Sequence, residues 1–464
     1  MTAGFVAESK TAVPVTPLDA AGLAIWLKRQ DARVRAWVEA NGFKPRAAKY
    51  LIIPDGQGGI ARVLLGRGLV PSMWDFGDLP MILPKGDYRL KGLGKNDATA
   101  AALAWALGRY AFDRYKSARK PVARLVWPAG ADRGRVEREC AGTALCRDLI
   151  NTPANDMSPA DLAAAAKKLG STFKAKVAVT EGDQLLKKNF PSIHAVGRAA
   201  AVAPRLIDLT WGAAKAPRVT LVGKGVCFDT GGLDIKGAAG MKMMKKDMGG
   251  AAHVLGIAHV LMAAKAPIRL RVLIPAVENS IAGNAMRPMD IIRTRRGTTV
   301  EIGNTDAEGR VILSDALDLA IADKPDLIVD FATLTGAARV ALGTDVPALF
   351  CNDDGMAADI LDAAGQLEDP LWRMPLWPGY KQLVEGSQAD LTNSPEGGYG
   401  GAITAALFLE HFATPAKGPK IPWAHIDLMA WNLRSRPGRP AGGEAMGLRA
   451  VADMILKRYA RKKR

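Results

Sequence analysis

The chain has 464 residues, of which 48% are hydrophobic, 23% charged and 6% aromatic, a composition that excludes fibrous and wholly disordered proteins. Its length predicts two or more hydrophobic cores rather than one. The net charge of +17 at pH 7 creates a positive field that attracts nucleic acid, anionic membranes or acidic solutes without selecting among them.

Residues 1–130 are predicted to form a smaller α/β domain. Apolar runs at 48–53 and 62–65 are bounded by Gly and Pro, as short strands commonly are. Residues 97–115 place apolar side chains at helical spacing, and Asp97 opens this segment as a candidate N-cap.

Residues 131–464 are predicted to form a larger α/β domain that opens with a linker helix over 133–150. Apolar runs that alternate with helical patterns are predicted strands, at 219–222, 270–275, 299–302, 327–331 and 426–429. The alternation indicates a mostly parallel central sheet flanked by helices. In such sheets ligands bind beyond the carboxyl ends of the strands, so polar residues that follow these runs are candidate site residues.

The apolar runs, the terminal segments and the cysteines indicate the cellular compartment of the protein. No apolar run is long enough to span a membrane and no export signal is evident, so we expect a cytoplasmic protein without a membrane partner. The four cysteines form no CxxC pair and give no support to a thiolate metal site. Six of the last eight residues are basic, and this segment is either a solvated tail or a phosphate-contacting arm.

The first polar motif is VTLVGKGVCFD at 219–229, which leads from a predicted strand into Lys224 and Asp229. It lacks the GxxxxGK[ST] frame, so a nucleotide-phosphate loop is not indicated. Lys236 follows in the next Gly-rich break. The segment KKDMGG then brings Asp247 to the start of a predicted helix near Ala251, where by position alone it is better explained as a cap than as a ligand.

A second motif, NTDAEGR at 304–310, interrupts an apolar run with two carboxylates. Asp306 and Glu308 are two residues apart, so both can project to one side and converge on one ion, and Arg310 continues that face. On spacing alone, a solvated turn in which Asp306 caps the following helix has equal weight.

Together the motifs supply three aspartates, one glutamate, two lysines and one arginine, each in a Gly-rich break after an apolar run. Hard oxygen ligands suit Mg²⁺, Mn²⁺ or carboxylate-bridged Zn²⁺, and two such ions about 3.5–4 Å apart can share carboxylates. The histidines form no HExxH motif and are predicted to be structural: His194, His253, His259, His411 and His425. The combined inventory favours a two-metal site.

These motifs resemble those of the leucyl (cytosol) aminopeptidase family, whose signature is NTDAEGR. The match extends through GKGVCFDTGG, LDIK, KKDMGG, NTPAND and FATLTGA, and it covers most of the chain from about residue 138 onward. The resemblance implies that residues 131–464 form the catalytic domain of a metalloprotease, a hydrolase that releases N-terminal amino acids from short peptides. It implies a preference for apolar, leucine-like residues and hydroxide attack on the scissile carbonyl.

The resemblance also implies a role for each matching residue. Two divalent ions per subunit, Zn²⁺ or Mn²⁺ with Mg²⁺ as a further candidate, would be held by Lys224, Asp229, Asp247, Asp306 and Glu308, with Asp229 and Glu308 bridging. Lys236 would stabilise the oxyanion, and Arg310 would hold a bicarbonate that acts as general base. The substrate contacts would be Met244, Thr333, Leu334 and Gly336, around an apolar pocket. Family members are homohexamers, which implies a homo-oligomer, a homohexamer, here. They also carry a smaller, variable N-terminal α/β domain, which implies a role in assembly or regulation for residues 1–130.

The sequence departs from the family in the charge around the motifs. Asp234 stands where many relatives have a small polar residue, and Lys242, Lys245 and Lys246 crowd the Asp247 loop. These three cations could alter substrate charge preference or metal affinity. The main alternative function is a DNA-binding or regulatory role on the same scaffold. It is motivated by the net charge, the basic C-terminus and the DNA binding of some bacterial family members, and it requires duplex-DNA affinity that falls steeply with salt.

Overall fold

The computed structural model describes residues 4–117 and 122–460, in which the chain forms two compact units. The first unit contains the described residues up to Ala144 together with Arg434–Ala441. The second contains Leu145–Leu433 and the described residues from Gly442 onward. The last four residues of the basic C-terminal segment lie outside the described part of the chain.

The first unit is built on a six-stranded sheet in the order β1-β6-β5-β2-β4-β3, parallel except for the β3–β4 pair. One core lies between the sheet and α3, α4 and the start of α5, and a smaller core lies under α1 and α2. The elements are β1 Phe5–Val6, β2 Val13–Leu18, α1 Ala20–Leu27, α2 Ala32–Ala40, β3 Tyr50–Pro54, β4 Ile60–Gly66, α3 Leu79–Ile82, β5 Gly86–Leu90, α4 Lys95–Gly108, β6 Ala123–Val126 and α5 Arg133–Asn151.

The second unit carries helices and strands in alternation. They are α6 Pro159–Phe173, β7 Lys176–Glu181, α7 Gln184–Lys187, α8 Pro191–Gly197, β8 Arg205–Trp211, β9 Arg218–Gly223, β10 Gly225–Asp229, α9 Ala238–Met241, α10 Gly249–Ala263, β11 Arg269–Asn279, β12 Ile291–Arg293, β13 Thr299–Glu301, α11 Glu308–Ala322, β14 Leu327–Ala332, α12 Gly336–Leu342, β15 Ala348–Cys351, α13 Asp354–Gln366, β16 Trp372–Arg373, β17 Leu391–Thr392, α14 Gly401–Ala413, β18 Trp423–Asp427, β19 Trp431–Asn432, β20 Gly442–Gly443 and α15 Leu448–Arg458.

A nine-stranded mixed sheet organises this unit, in the order β16-β15-β18-β14-β9-β11-β8-β7 with β10 also paired to β11. Its central strands β18, β14, β9 and β11 are parallel, whereas β7, β8 and β15 add antiparallel pairs. A three-stranded sheet, β12-β13-β17, and the β19–β20 pair complete the strands of the described chain.

The central strands are apolar on both faces because each face covers a separate core. In β9, Val219 and Leu221 pack with α6, α10, α13 and α15, while Val222 packs on the opposite side with α8, α11 and α14. This alternation follows from the two-residue repeat of a strand, and burial on both faces explains the continuous apolar runs of the sequence. The predicted α/β fold class, with a mostly parallel sheet between helices, is confirmed.

Most predicted elements lie within one or two residues of those observed, and the helix over 133–150 is confirmed as α5. The helix predicted over 97–115 is wrong at both ends, because α4 begins at Lys95 and its N-cap is Gly94, not Asp97. It ends at Gly108, which packs so closely on the backbone of Gly77 that a β-carbon would lie 1.6 Å from the Gly77 carbonyl oxygen, a contact that periodicity cannot reveal.

The strand predicted at 426–429 was placed three residues too late. Strand β18 spans Trp423–Asp427 and includes His425, a polar residue that breaks the apolar run in the sequence. Its ring is buried because it is paired with Asp330. Among the helices of the described chain, none combines the length and apolarity needed to cross a membrane.

Candidate functional site

Parallel strands of the large sheet end at one edge and bring several predicted residues together. Strands β9, β14 and β18 pair in register, with Gly223 opposite Phe331 and Ala332 opposite Asp427. Lys224 therefore emerges from β9 beside Thr333, which follows β14. The carboxyl ends of such strands are where α/β proteins bind ligands.

Lys224 forms the buried centre of a cluster of ion pairs. Its Nζ lies 2.8 Å from Asp247 Oδ2 and 2.8 Å from Glu308 Oε1, and it donates a hydrogen bond of 3.0 Å to the carbonyl oxygen of Thr333. The side chain has room because residue 309 is glycine, where a β-carbon would lie 2.6 Å from the Cε of Lys224. Glu308 is the first residue of α11, so the helix start and the strand end share this lysine.

Lys236 forms a second ion-pair cluster next to the first. The loop after β10 turns back through a hydrogen bond from the backbone N–H of Lys236 to the carbonyl oxygen of Thr230. This turn places Lys236 Nζ 2.9 Å from Asp229 Oδ2 and in direct contact with Asp306 Oδ1. Two loops that are 70 residues apart in sequence thus meet through one ammonium group.

The NTDAEGR loop is held by residues that sequence reasoning did not single out. The buried Asn393 accepts hydrogen bonds from the backbone of Gly303 and Asn304 and donates to the carbonyl oxygens of Asn304 and Ala307. Asn279 donates 2.8 Å to Asp229 Oδ1 and 3.1 Å to the carbonyl oxygen of Thr305. Asn279 ends β11, so the rule of strand ends could have identified it, whereas no sequence signal marks Asn393.

Asp234 also fixes this loop. Its carboxylate accepts hydrogen bonds from the backbone N–H of Thr305 at 2.7 Å and from the Thr305 hydroxyl at 3.0 Å. The Thr305 hydroxyl reaches the carbonyl oxygen of Gly231 as well. Asp234 therefore ties the Lys236 loop to the Asp306 loop.

The capping alternatives for the two motifs are wrong. Helix α10 begins at Gly249, and α11 begins at Glu308, and neither helix has a side-chain cap at its N-terminus. Asp247 lies before α10 in a short 3₁₀ helix over Met244–Met248 and accepts a hydrogen bond of 2.7 Å from the Thr333 hydroxyl. Asp306 and Asp247 are therefore directed at Lys236 and Lys224, respectively, instead of at helix termini.

The two ion-pair clusters open into a cavity of about 220 Å³. Nine of the predicted site residues line it: Lys224, Asp229, Lys236, Met244, Asp247, Asp306, Thr333, Leu334 and Gly336. Lys246, Thr335, Arg339 and Leu428 complete the wall. Glu308 lies behind Lys224, and the backbone N–H groups of Leu334 and Thr335 are held by Asp427, another strand-end residue that the sequence analysis missed.

Arg310 is the one predicted site residue that neither lines the cavity nor belongs to the ion-pair clusters. It is buried in α11, and its Nη1 donates 2.6 Å to the carbonyl oxygen of Asn393. Its Nε has no hydrogen-bond partner in the described chain. Burial lowers the pKa of Arg310 to about 10 against the opposing effect of Glu308 and Asp427, so the guanidinium stays charged at neutral pH and can still bind an anion.

The carboxylates of the site fit divalent cations. Oxygens of Asp229, Asp306 and Glu308 lie within 4.8 Å of one another. Asp247 Oδ2 and Glu308 Oε1 are both buried, and in this state the ammonium of Lys224, 2.8 Å from each, is the cation that neutralises them. Several carboxylates gathered around cations form a donor set that also suits hard metal ions, which would take the place of the lysine ammonium groups.

Burial and the neighbouring charges also set the pKa values of the site residues. Burial, and then the neighbouring Asp229, raise the pKa of Asp306 to about 6 and that of Glu308 to about 8. Burial disfavours the ammonium of Lys224, but Asp247, Glu308 and Asp229 outweigh it and raise the pKa of Lys224. Without a metal the site therefore holds extra protons, which a divalent cation would have to displace.

A sheet edge that gathers buried carboxylates and lysines around one cavity defines the class, a metal-dependent α/β enzyme. The model of the cytosol aminopeptidase family, catalytic domain, matches residues 144–452, and that of the M17 aminopeptidase N-terminal domain matches residues 13–128. The chain belongs to the cytosol aminopeptidase family and is a metallo-aminopeptidase, a hydrolase of peptides.

Similar proteins cover most of the chain. A probable cytosol aminopeptidase of Parasynechococcus marenigrum is 41% identical over 374 residues, 77% of this chain and 75% of that protein. The crystal structure of the cytosol aminopeptidase from Coxiella burnetii has a TM-score of 0.93 and 49% identity, and covers 98% of this chain and 100% of its own. The structure of the bottromycin maturation enzyme BotP in complex with Mn has a TM-score of 0.86 and 32% identity. The match covers 96% of this chain and 99% of the BotP chain.

Proposed function

We propose that this enzyme uses two divalent metal ions to release N-terminal, leucine-like amino acids from short peptides. The observation that carries the proposal is the convergence of three carboxylates, those of Asp229, Asp247 and Asp306, on one cavity, with the carboxylate of Glu308 buried directly behind Lys224.

Five residues would hold the two ions: Lys224, Asp229, Asp247, Asp306 and Glu308, with Asp229 and Glu308 shared between them. Zn²⁺ and Mn²⁺ are the expected metals, and Mg²⁺ also suits the oxygen ligands. When bound, the ions polarise the scissile carbonyl and supply a hydroxide nucleophile at neutral pH. Lys224 must give up a proton to become a ligand, which requires that the ions take over its carboxylate partners.

Lys236 and Arg310 are the proposed catalytic residues. Burial disfavours the ammonium of Lys236, but Asp229 and Asp306 outweigh it and raise the pKa of Lys236, so it stays protonated and can stabilise a developing oxyanion. Arg310 has a free Nε donor, as far as the described residues show, and a planar guanidinium that suits bicarbonate. A bicarbonate bound there would supply a general base.

The remaining wall of the cavity would position the peptide. Met244 and Leu334 provide apolar surface, and Thr333 and Gly336 lie at the end of β14 and the start of α12. Thr333 also orients Asp247 through its hydroxyl, which joins the substrate pocket to the metal ligands. A pocket of this kind separates apolar side chains by about 1–3 kcal/mol per methylene, so the preference should be broad.

We propose the same domain roles and setting as the sequence suggests. Residues 131–464 would be the catalytic domain and residues 1–130 an assembly or regulatory domain of a cytoplasmic homohexamer. The alternative DNA-binding role still rests only on the net charge and on the basic C-terminus. It requires binding to duplex DNA near physiological salt that falls steeply as salt is raised.

The purified enzyme with Mn²⁺ or Zn²⁺ should hydrolyse an N-terminal leucyl amide. Removal of metal with a chelator should abolish hydrolysis, and adding the metal back should restore it, because the ions supply both the nucleophile and the polarisation of the carbonyl. Release of leucine is measured against an N-acetylated leucyl amide, which lacks the free amine and should resist cleavage. Hydrolysis that is unaffected by exhaustive chelation would refute the metal-dependent mechanism.

Metal affinity should rise with pH between about 6 and 8. In this interval Asp306 and Glu308, whose pKa values are raised to about 6 and about 8, lose protons that compete with the metal for the same oxygens. The apparent affinity should increase by up to about tenfold per pH unit for each proton displaced. Calorimetric titrations of the metal-free enzyme in buffers of different ionisation enthalpy measure both quantities, and binding without proton release would contradict this assignment.

A further inference from the structure

Two cations in the cavity wall have no part in the proposed chemistry. Lys246 and Arg339 line the cavity together with Met244 and Leu428. Lys246 belongs to the 3₁₀ helix that carries Asp247, and Arg339 lies in α12, which follows Thr333. They approach the cavity from two different segments of the second unit.

Lys246 is the more unusual of the two. Only 3% of its surface is exposed, yet no hydrogen bond or ion pair from the described residues reaches its ammonium group. A buried charge without a partner is costly, and an anion bound in the cavity would supply that partner. The side chain forms part of the cavity wall, so the ligand can reach it from the cavity.

Arg339 lines the same cavity. Its Nη1 contacts Met429 Sδ at 3.2 Å, and its Nη2 lies 3.6 Å from where a β-carbon on Gly336 would stand. Among the described residues it forms no ion pair with a carboxylate. Its planar donor group is therefore available for a carboxylate that enters past Gly336.

The acidic groups nearest to these cations are already engaged. Asp247 is paired with Lys224 and accepts a hydrogen bond from Thr333. Asp427 accepts hydrogen bonds from two backbone N–H groups and from the Thr335 hydroxyl at 2.6 Å. Lys224, the other charged group close to Lys246, is itself a cation and adds to the positive potential. Neither carboxylate therefore supplies a hydrogen-bond or ion-pair partner for Lys246 or Arg339.

We propose that Lys246 and Arg339 form a subsite that binds a carboxylate of the peptide substrate. The proposal rests on the aminopeptidase activity proposed above and refines its substrate class, since a purely apolar pocket would not place two cations in its wall. Peptides offer this group in two places, the side chain of an N-terminal Glu or Asp and the free C-terminus of a dipeptide. Both present the same planar anion to a lysine and an arginine.

The test compares Lys246→Met and Arg339→Met with the wild type on two pairs of substrates. Glutamyl and leucyl p-nitroanilides differ only in the side chain, and leucylglycine and leucylglycinamide differ only in the C-terminal charge. In both variants kcat/KM for the carboxylate-bearing member of one pair should fall about 10- to 100-fold relative to its neutral partner. The pair that responds identifies the source of the carboxylate.

Lys242→Met is the matched control, since Lys242 is an exposed lysine just before the same 3₁₀ helix and should leave both ratios at their wild-type values. Lys246→Arg keeps the charge and should retain most of the discrimination. Melting temperatures identify a variant that fails to fold, in which case Arg339→Met alone decides. Ratios within about twofold of the wild type for both pairs would overturn the subsite, whereas a wild type that cleaves none of the four substrates would overturn the aminopeptidase activity on which the subsite rests.

Discussion

Replacing Glu308 with Gln is expected to lower kcat/KM for a leucyl amide by on the order of a thousandfold or more. The substitution keeps the size of a side chain that is 1% exposed but removes the charge that would be shared between two ions. Loss of a metal forfeits several kcal/mol of transition-state stabilisation, which corresponds to this factor. Metal content, measured by mass spectrometry of the gel-filtered protein, should fall in parallel.

The fold should survive this change, because Lys224 keeps its ion pair with Asp247 and its hydrogen bond to Thr333. Asp306→Asn should reduce activity and metal content in the same direction. Asp362→Asn is the control, since Asp362 is an exposed carboxylate on α13 and should change neither quantity. A Glu308→Gln enzyme that retains both ions and wild-type activity would exclude Glu308 as a ligand.

The general form of the site followed from the sequence because each motif is tied to a strand end. Lys224 comes directly after an apolar strand and Asp229 closes the next, so the topology of a parallel sheet places them at one edge. The fold class was also predictable, because strands that are buried on both faces of a sheet appear in the sequence as continuous apolar runs. The first and last residues of elements were less predictable, because contacts such as that of Gly108 with Gly77 decide them.

The alternatives for Asp247 and Asp306 could not be settled from sequence because a cap and a ligand need the same residue at nearly the same position. A cap and a ligand differ in the direction in which the side chain points. That direction depends on partners that are distant in the sequence. Asp306 is directed at Lys236, which comes from another loop. Asn393 holds that loop from nearly 90 residues away, a contact that no local pattern records.

The three lysines around Asp247 also show that the direction of a side chain cannot be predicted from local sequence. Lys242 is exposed, whereas Lys245 donates 2.7 Å to the carbonyl oxygen of Asn151 and lies over the ring of Trp431. Lys246 alone turns into the cavity wall. The sequence shows three lysines close together but does not distinguish them. In the structure Lys242 is solvated, Lys245 has a structural role and Lys246 lines the pocket.

Replacing Lys236 with Met should lower kcat for a leucyl amide by about 10²–10³-fold and leave KM nearly unchanged, because an oxyanion donor acts on the transition state more than on the bound substrate. The loop that carries Lys236 is closed by its backbone bond to Thr230 and by the contact of Asp234 with Thr305, neither of which needs the lysine side chain. The variant should therefore fold and melt near the wild-type temperature.

Metal content separates this variant from Glu308→Gln. Lys236 is an ion-pair partner of Asp229 and Asp306, so its loss should leave those carboxylates more negative and the metals at least as tightly bound. Full metal occupancy with a low kcat is thus the expected signature of a lost electrophile. If Lys236→Met instead lost its metals while the occupied fraction kept the wild-type kcat, Lys236 would be a residue that positions Asp229 and Asp306, and the oxyanion would need another donor.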